Sequence, residues 1–110
     1  MVTGSRSVKL IISEKAWLDL RDIWLFNAER YGGEHAAKYQ EFLFSEMASL
    51  CVYPNKGARV PRVSAMRFLI MKRRSGGHGH AAYYEIHCGS VYVIRVLHTA
   101  MHAPDHISGV

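Results

Sequence analysis

The chain has 110 residues, a formal net charge of +5 and a hydrophobic content of 49%, with a pI near 9.5. A chain of this length forms one domain with one core, and this composition excludes a disordered chain. No apolar run approaches the roughly 20 residues that cross a bilayer, and the apolar run near the N-terminus is too short for a signal peptide. We therefore expect one domain over residues 1–110, located in the cytoplasm, with Cys51 and Cys88 as reduced thiols that fill core space.

The first elements of the chain are a short strand and a long helix. Residues 8–12 are rich in β-branched side chains and predict a strand. Ser13 fits the N-cap of a helix, with Glu14 in the first turn, where its charge meets the positive end of the helix dipole. The apolar residues that recur at helical spacing after this cap are Trp17, Leu20, Trp24, Ala28 and Tyr31. This stripe predicts that Trp17 and Trp24 belong to the core, with a partner-binding aromatic ridge as the alternative.

A second helix follows after a tight turn. Gly32 and Gly33 end the first helix, and a new helical pattern begins near Glu34 and ends at Pro54. Its apolar face carries Ala36, Tyr39, Leu43, Met47 and Leu50. Two helices joined by so short a turn must lie antiparallel, so we predict a helical hairpin.

The second half of the chain predicts three strands. Residues 55–64 are basic, contain glycine and proline and are typical of a loop, whereas residues 67–72, 81–87 and 90–98 are typical of strands. Tight glycine-containing turns join these strands as an antiparallel meander. The predicted fold is therefore α+β in the order β-α-α-β-β-β. It has an N-terminal strand, an antiparallel two-helix hairpin and a C-terminal three-stranded antiparallel meander, with the helices on one face of a curled sheet.

The strand over residues 90–98 is apolar on both faces, which predicts a central, covered position in the sheet. Strict alternation assigns one common face to Val91, Val93, Arg95 and Leu97. Arg95 and His98 are the polar exceptions in this strand. A buried charge needs a partner, so we expect Arg95 to reach a carboxylate of the helical hairpin or a carbonyl at the sheet edge. We expect His98 to hydrogen-bond with the segment that follows it.

Charge is distributed unevenly along the chain. Seven of the nine acidic residues lie between Glu14 and Glu46, and no acidic residue lies between Glu46 and Glu85. That acid-free interval holds half of the Lys and Arg residues, namely Lys56, Arg59, Arg62, Arg67, Lys72, Arg73 and Arg74. We therefore predict a positive surface on one half of the molecule, suited to nucleic acid or to an acidic protein partner. The alternative is that these cations are solvated loop residues with no partner.

The seven histidines suggest two kinds of site, a metal site and a site for acid–base catalysis. His98, His102 and His106 are spaced four apart, as on one helical face, but a proline between the last two breaks such a helix. We therefore predict neither a metal nor another cofactor. Acid–base cleavage of RNA needs a base, an acid and positive charge at the phosphate. The residues that supply these groups, if the strands bring them together, are Arg67, His78, His80, Arg95 and His98.

Several short motifs occur in an order and spacing that resemble one protein family. In chain order they are A-x-x-D-L-x-x-I-W from Ala16, L-x-x-x-P-x-x-G from Leu50, Y-x-I from Tyr84 and I-R-V-L-H-x-x-M from Ile94, followed by His106. The pattern resembles the ParE branch of the ParE/RelE superfamily, the toxin halves of bacterial type II toxin–antitoxin pairs. The resemblance covers nearly the whole chain, and it implies the same helical hairpin on a curled antiparallel sheet.

The resemblance implies a toxin that inhibits DNA gyrase by binding, and a cognate antitoxin that neutralises it in a hetero-oligomer by wrapping it and adding a strand to its sheet. The target-binding residues are then Arg67, Lys72, Arg73, Arg74, Arg95, His98, Met101 and His106. The alternative within the superfamily is a ribosome-dependent mRNA endoribonuclease of RelE type, with Arg67, His78, His80 and His98 as catalytic candidates. A third reading is a degenerate toxin that binds only its antitoxin, so the sequence leaves open whether the chain is an enzyme.

Overall fold

The computed structural model describes residues 8–73 and 79–100. In chain order the elements are β1 (Lys9–Ile12), α1 (Glu14–Tyr31), α2 (Gly33–Ala48), two short 3-10 turns (Ser49–Cys51 and Pro54–Lys56), β2 (Ala58–Arg59), β3 (Met66–Met71), β4 (His80–His87) and β5 (Ser90–His98). The five strands form one sheet in the order β1-β5-β4-β3-β2. None of the helices within the described residues is long and apolar enough to cross a membrane.

The predicted α+β fold and order of elements are confirmed, and the sheet adds two pairings. Strands β3, β4 and β5 form the expected antiparallel meander. Strand β1 runs parallel to β5, which makes the sheet mixed. Strand β2 has two residues, pairs antiparallel with β3 and lies inside the predicted loop. Neither pairing was predicted, because β1 and β5 are far apart in the chain and a two-residue strand has no measurable period.

Helix α1 begins at the predicted cap but contacts the sheet through a different line of residues from the one predicted. The Ser13 hydroxyl accepts a hydrogen bond from the backbone N–H of Ala16 at 3.0 Å, and Ala16 and Leu20 are fully buried. Trp17 is 50% exposed and Trp24 is 36% exposed, so the prediction that both belong to the core is wrong. The apolar stripe of α1 is broad, and periodicity alone does not tell which of its edges meets the sheet.

The main core lies between the helical hairpin and one face of the sheet. Its largest buried members are Leu20, Leu43, Met47, Leu50, Leu69, Met71, Tyr84, Val91 and Val93. A smaller cluster lies separately, built from Val60, Met66, Ala81, Tyr83 and Leu97. Strand β5 contributes to both clusters and lies between β1 and β4. Its predicted central and covered position is therefore confirmed.

A β-bulge in β5 changes which side chains share a face. Tyr84 pairs with Val93 whereas Tyr83 pairs with Arg95, so Ile94 is an extra residue on β5. An extra residue shifts the alternation of side chains by one position. Val96 consequently joins Val93 in the main core. The predicted common face of Val91, Val93, Arg95 and Leu97 is therefore wrong beyond Val93.

Cys88 lies on the tight turn between β4 and β5. The turn has two residues, and both have positive φ, 50° at Cys88 and 75° at Gly89. This is the backbone of a type I′ turn, which matches the twist of a β-hairpin and projects from the sheet. Cys88 is exposed and Cys51 is half-buried, and both are free thiols. The expectation that both thiols fill core space is therefore wrong for Cys88.

Gly57 fits against a buried tyrosine that ties the 3-10 turn to the sheet. The Tyr84 hydroxyl donates to the Pro54 carbonyl at 2.6 Å and accepts from the Gly57 N–H at 3.0 Å. A Cβ at Gly57 would lie 2.6 Å from the Phe68 carbonyl oxygen and 2.7 Å from the Tyr84 hydroxyl. Because the carbonyl belongs to the backbone of the sheet, it cannot move away without disturbing the strand pairing.

We therefore expect Gly57→Ala to lower the free energy of unfolding by about 3 kcal/mol through overpacking and loss of the hydroxyl bridge. Urea unfolding followed by circular dichroism measures the change. Gly33→Ala is the matched control, because a Cβ at Gly33 meets nothing within 4 Å. Equal stability of the two variants would contradict the steric account of Gly57.

Candidate functional site

Six cations lie on strands β2 and β3 or within three residues of them in the chain, and we call this group the basic edge. Its members are Lys56, Arg59, Arg62, Arg67, Lys72 and Arg73. Five of them are exposed, and the sixth, Arg67, donates to the Gly57 carbonyl at 2.8 Å. Across residues 8–73 and 79–100, no ion pair includes a member of the basic edge. The edge therefore presents positive charge that no nearby carboxylate neutralises.

The predicted target-binding residues divide between this edge and other places. Arg67, Lys72 and Arg73 belong to the basic edge, and Lys72 and Arg73 are exposed there. Arg95 and His98 lie on β5, which β4 separates from β3. The remaining three predicted residues, Arg74, Met101 and His106, lie outside the described residues.

Arg95 reaches a carboxylate of the helical hairpin, as predicted. Its Nε lies 2.8 Å from Asp19 Oδ2 and its Nη2 lies 3.0 Å from Asp19 Oδ1, which is bidentate geometry. The hydrogen bond to Asp19 raises the pKa of Arg95, and the coulombic attraction of the carboxylate adds to this against the effect of burial. Only 18% of the Arg95 side chain and 15% of the Asp19 side chain are exposed. The pair therefore has a structural role at the junction of α1 and β5.

The same junction supplies hydrogen-bond partners to the backbone of β5 at the point where β1 ends. The Ser13 N–H donates to the Val93 carbonyl at 2.9 Å, and the Ser13 hydroxyl donates to the Ile94 carbonyl at 2.8 Å. Six residues further along the chain, Asp19 Oδ2 accepts from the Val96 N–H at 2.9 Å. Side chains of α1 and its cap thus replace the missing strand beside the bulge, since buried backbone groups require partners.

The catalytic candidates of the endoribonuclease reading are only partly brought together. His80 and His98 pair across β4 and β5, with ring centroids 5.4 Å apart. Arg67 lies on β3 four residues before Met71, the residue that pairs with His80. Four strand residues span about 13 Å. His78 lies outside the described residues.

His80 is half-buried and is held by Tyr39 of α2. The Tyr39 hydroxyl and His80 Nδ1 are 2.7 Å apart. Burial, and secondarily the neighbouring His98, lowers the pKa of His80 from 6.5 to about 4. His80 is therefore neutral at pH 7 and does not supply positive charge to a phosphate. Burial likewise raises the pKa of the Tyr39 hydroxyl, an effect that the positive charge of Arg73 opposes.

The buried His80 predicts that acid weakens the fold. Between about pH 4 and 6.5 the unfolded chain binds a proton that folded His80 does not, so the free energy of unfolding rises with pH in this window. The contribution of neutral His80 to the free energy of unfolding is complete above pH 6.5 and is lost as the pH falls towards 4. After allowance for solvent screening, this contribution is roughly 2 kcal/mol.

Urea unfolding at several pH values, on the parent chain and on His80→Gln, measures this contribution. We expect the slope in the window to shrink in His80→Gln and to persist in the control His35→Gln, because His35 is exposed on α2. An unchanged slope in His80→Gln would assign the acid sensitivity to other groups.

A cavity of about 480 Å³ lies beside His80, where the far end of the helical hairpin extends over the ends of β4 and β5. Among the residues that line it are Phe26, Asn27, Tyr31, Tyr39, His80 and His98. Asn27 and Tyr39 were not predicted as site residues. Asn27 was detectable, because it stands seven positions after Leu20 on the inner line of α1 and is polar where apolar residues are expected.

The hairpin, the mixed sheet and the basic edge together define a small basic protein of the α+β class. A family model described as the ParE toxin of the type II toxin–antitoxin system, parDE, matches residues 10–103. Toxin ParE1 of Caulobacter vibrioides is 31% identical over 96 residues, which cover 87% of this chain and 94% of that protein. The chain belongs to the family of ParE toxins of type II toxin–antitoxin systems.

A solved structure shows the same fold. It is the chromosomal ParDE toxin–antitoxin system from P. aeruginosa, with a TM-score of 0.70 and 23% sequence identity. The match covers 84% of this chain and 97% of that chain. The confirmed fold and the family membership thus agree.

Proposed function

We propose that this chain inhibits DNA gyrase by binding it in the cytoplasm, and that a cognate antitoxin neutralises the chain in a hetero-oligomer. Gyrase is the target that the family resemblance implies. The observation that supports a binding inhibitor is the basic edge, whose cations form no ion pair among the described residues. Uncompensated charge of one sign along an edge steers and orients a partner of the opposite sign.

The antitoxin, on this proposal, adds a strand to the outer edge of β3. Strand β2 covers only Arg67 and Phe68, so the rest of β3 has no strand partner on that side within the described residues. Ile70, in this uncovered part, is 44% exposed. An extended acidic segment would pair its backbone with β3 and its carboxylates with the basic edge.

A second contact surface for the antitoxin is an aromatic ridge on the outer side of the hairpin. The ridge consists of Trp17, Trp24 and Phe44, with the Trp17 and Phe44 rings 5.7 Å apart. Large aromatic side chains that remain half-exposed are typical anchors of protein interfaces. A segment that reaches both the ridge and the β3 edge would wrap the toxin, as the proposal requires.

Parallel assays test the choice of target. Purified toxin is incubated with gyrase and relaxed plasmid, and separately with translating ribosomes and labelled mRNA. We expect loss of supercoiling and intact mRNA, with supercoiling restored by the antitoxin encoded beside the toxin. Site-specific cleavage of mRNA with unaffected gyrase would replace this proposal with the endoribonuclease.

A further inference from the structure

The cavity under the hairpin has the dimensions and lining of a ligand site, and the proposed inhibition of gyrase does not use it. Its volume of about 480 Å³ falls within the range of pockets that hold small molecules or cofactors. Aromatic rings contribute much of the wall, and only a few polar groups point into it. Within residues 8–73 and 79–100, no group of three or more His, Cys, Asp or Glu side chains is placed to hold a metal ion. An organic ligand is therefore the relevant class.

Asn27 is the buried polar side chain of α1 that lines the cavity. It is 9% exposed. No hydrogen bond joins its side-chain amide to any other described residue. Buried polar groups nearly always have partners. A ligand that offers both an acceptor and a donor would supply partners to the side-chain amide of Asn27.

The opposite wall presents a neutral imidazole instead of a cation. Nδ1 of His80 is occupied by the Tyr39 hydroxyl at 2.7 Å, which leaves Nε2 as the ring nitrogen available to a ligand. The rings of Tyr31 and His35 lie 4.7 Å apart at the mouth of the cavity. A flat ligand with hydrogen-bonding groups on its edge matches an amide, a neutral imidazole and aromatic faces.

The charged residues near the cavity indicate where a negatively charged group of a ligand would lie. The one acidic group in the described lining is Asp22, an exposed residue that pairs with Arg21. Arg73 follows two residues after Met71, the residue that pairs with His80, so the chain places Arg73 on the β3 side of the cavity, where its charge also acts on the Tyr39 hydroxyl. An anionic group attached to the ligand would therefore lie on the side of Tyr39 and Arg73.

We propose that the cavity binds a nucleobase, with adenine as the best match and its phosphate directed to Arg73. The side-chain amide of asparagine forms a bidentate pair with N6 and N7 of adenine, and the rings at the mouth supply stacking. The source is either a free nucleotide or an unpaired base of a nucleic acid, since both present the same chemistry.

Nuclear magnetic resonance titration of the full chain with AMP, adenosine, CMP, oligoadenylate and oligocytidylate tests the proposal. We expect AMP to shift the side-chain amide signals of Asn27 and the ring signals of His80, and to bind more tightly than CMP. Asn27→Leu should weaken AMP binding about tenfold, the low end for loss of a bidentate base contact. Arg73→Gln should weaken AMP more than adenosine. Tighter binding of oligoadenylate than AMP identifies a nucleic acid as the source, and the reverse order identifies a free nucleotide.

Gln40→Leu is the matched control, because Gln40 also has an unpartnered amide oxygen but lines the outer groove of the hairpin. It should bind AMP like the parent chain, and thermal unfolding checks that each variant is folded. Absence of any AMP-induced shift at Asn27 in the parent chain would overturn the proposal. So would tighter binding of N-acetyltyrosine amide than of AMP, which would assign the cavity to a side chain of a protein partner.

Discussion

Asp19→Ala is expected to lower the free energy of unfolding by about 3 kcal/mol, because Asp19 accepts hydrogen bonds from both Arg95 and the backbone of β5. The substitution leaves the Arg95 guanidinium, 18% exposed, without its bidentate carboxylate. It also removes the acceptor of the Val96 N–H beside the bulge. The guanidinium thus loses its bidentate carboxylate and the backbone N–H loses its acceptor at one place, and each loss is costly in a half-buried setting. Urea unfolding measures the loss.

Two further variants separate these contributions. Asp22→Ala removes an exposed carboxylate one turn away on α1, whose partner Arg21 is also exposed, and should change stability by no more than about 0.5 kcal/mol. Arg95→Met breaks the ion pair but leaves Asp19 to accept from the Val96 N–H, so its effect should be smaller than that of Asp19→Ala, which loses both. A loss in Asp19→Ala no larger than that in Asp22→Ala would show that the junction does not depend on the carboxylate.

The periodic parts of the fold were predictable because their signals are local. Ser13 as an N-cap, the glycine turn at Gly32 and the apolar face of α2 each depend on neighbours within a few positions, and the structure has all three. The central strand was predictable because an apolar run on both faces requires cover on both sides. The family motifs then united these elements into one known arrangement.

The features that failed or were missed depend on contacts between distant parts of the chain. The bulge at Ile94 lies where the pairing of β1 with β5 ends and side chains at the start of α1 take over the hydrogen bonds to the β5 backbone. No pattern within β5 itself reveals this change of partner. Trp17 and Trp24 are exposed because the sheet meets the adjacent line of α1, and either line satisfies the helical period. The parallel pairing of β1 with β5 likewise depends on a crossover that spans the hairpin.

The candidate sites also differ in whether their residues are close together or far apart in the sequence. The basic edge was predictable because its cations are close in sequence, and all of them lie on or next to β2 and β3, which are neighbours at one end of the sheet. The cavity was not, because Asn27, Tyr39 and His80 come from three different elements. Arg67 and His80 were grouped as catalytic candidates on residue type alone, and their strands place them far apart on the sheet.

The double variant Lys72→Glu, Arg73→Glu should weaken the proposed inhibition of gyrase about a hundredfold, if each reversal costs about a factor of ten in binding. Both residues are exposed at the end of β3, so their replacement leaves the core intact and unfolding should be unchanged. Reversal creates repulsion against an acidic partner surface, which is a larger change than loss of an attraction. Supercoiling assays over a range of toxin concentrations measure the effect.

The matched control is Lys15→Glu, Lys38→Glu, which changes the net charge equally but on the hairpin, where acidic residues predominate. If position matters, this control retains most of the inhibition, and raising the salt concentration weakens the parent toxin more than it weakens the basic-edge variant. If only net charge matters, the two double variants lose inhibition equally, and the basic edge has no specific role. Because both variants carry the same total charge, the comparison isolates the effect of where the reversed charges lie in the fold.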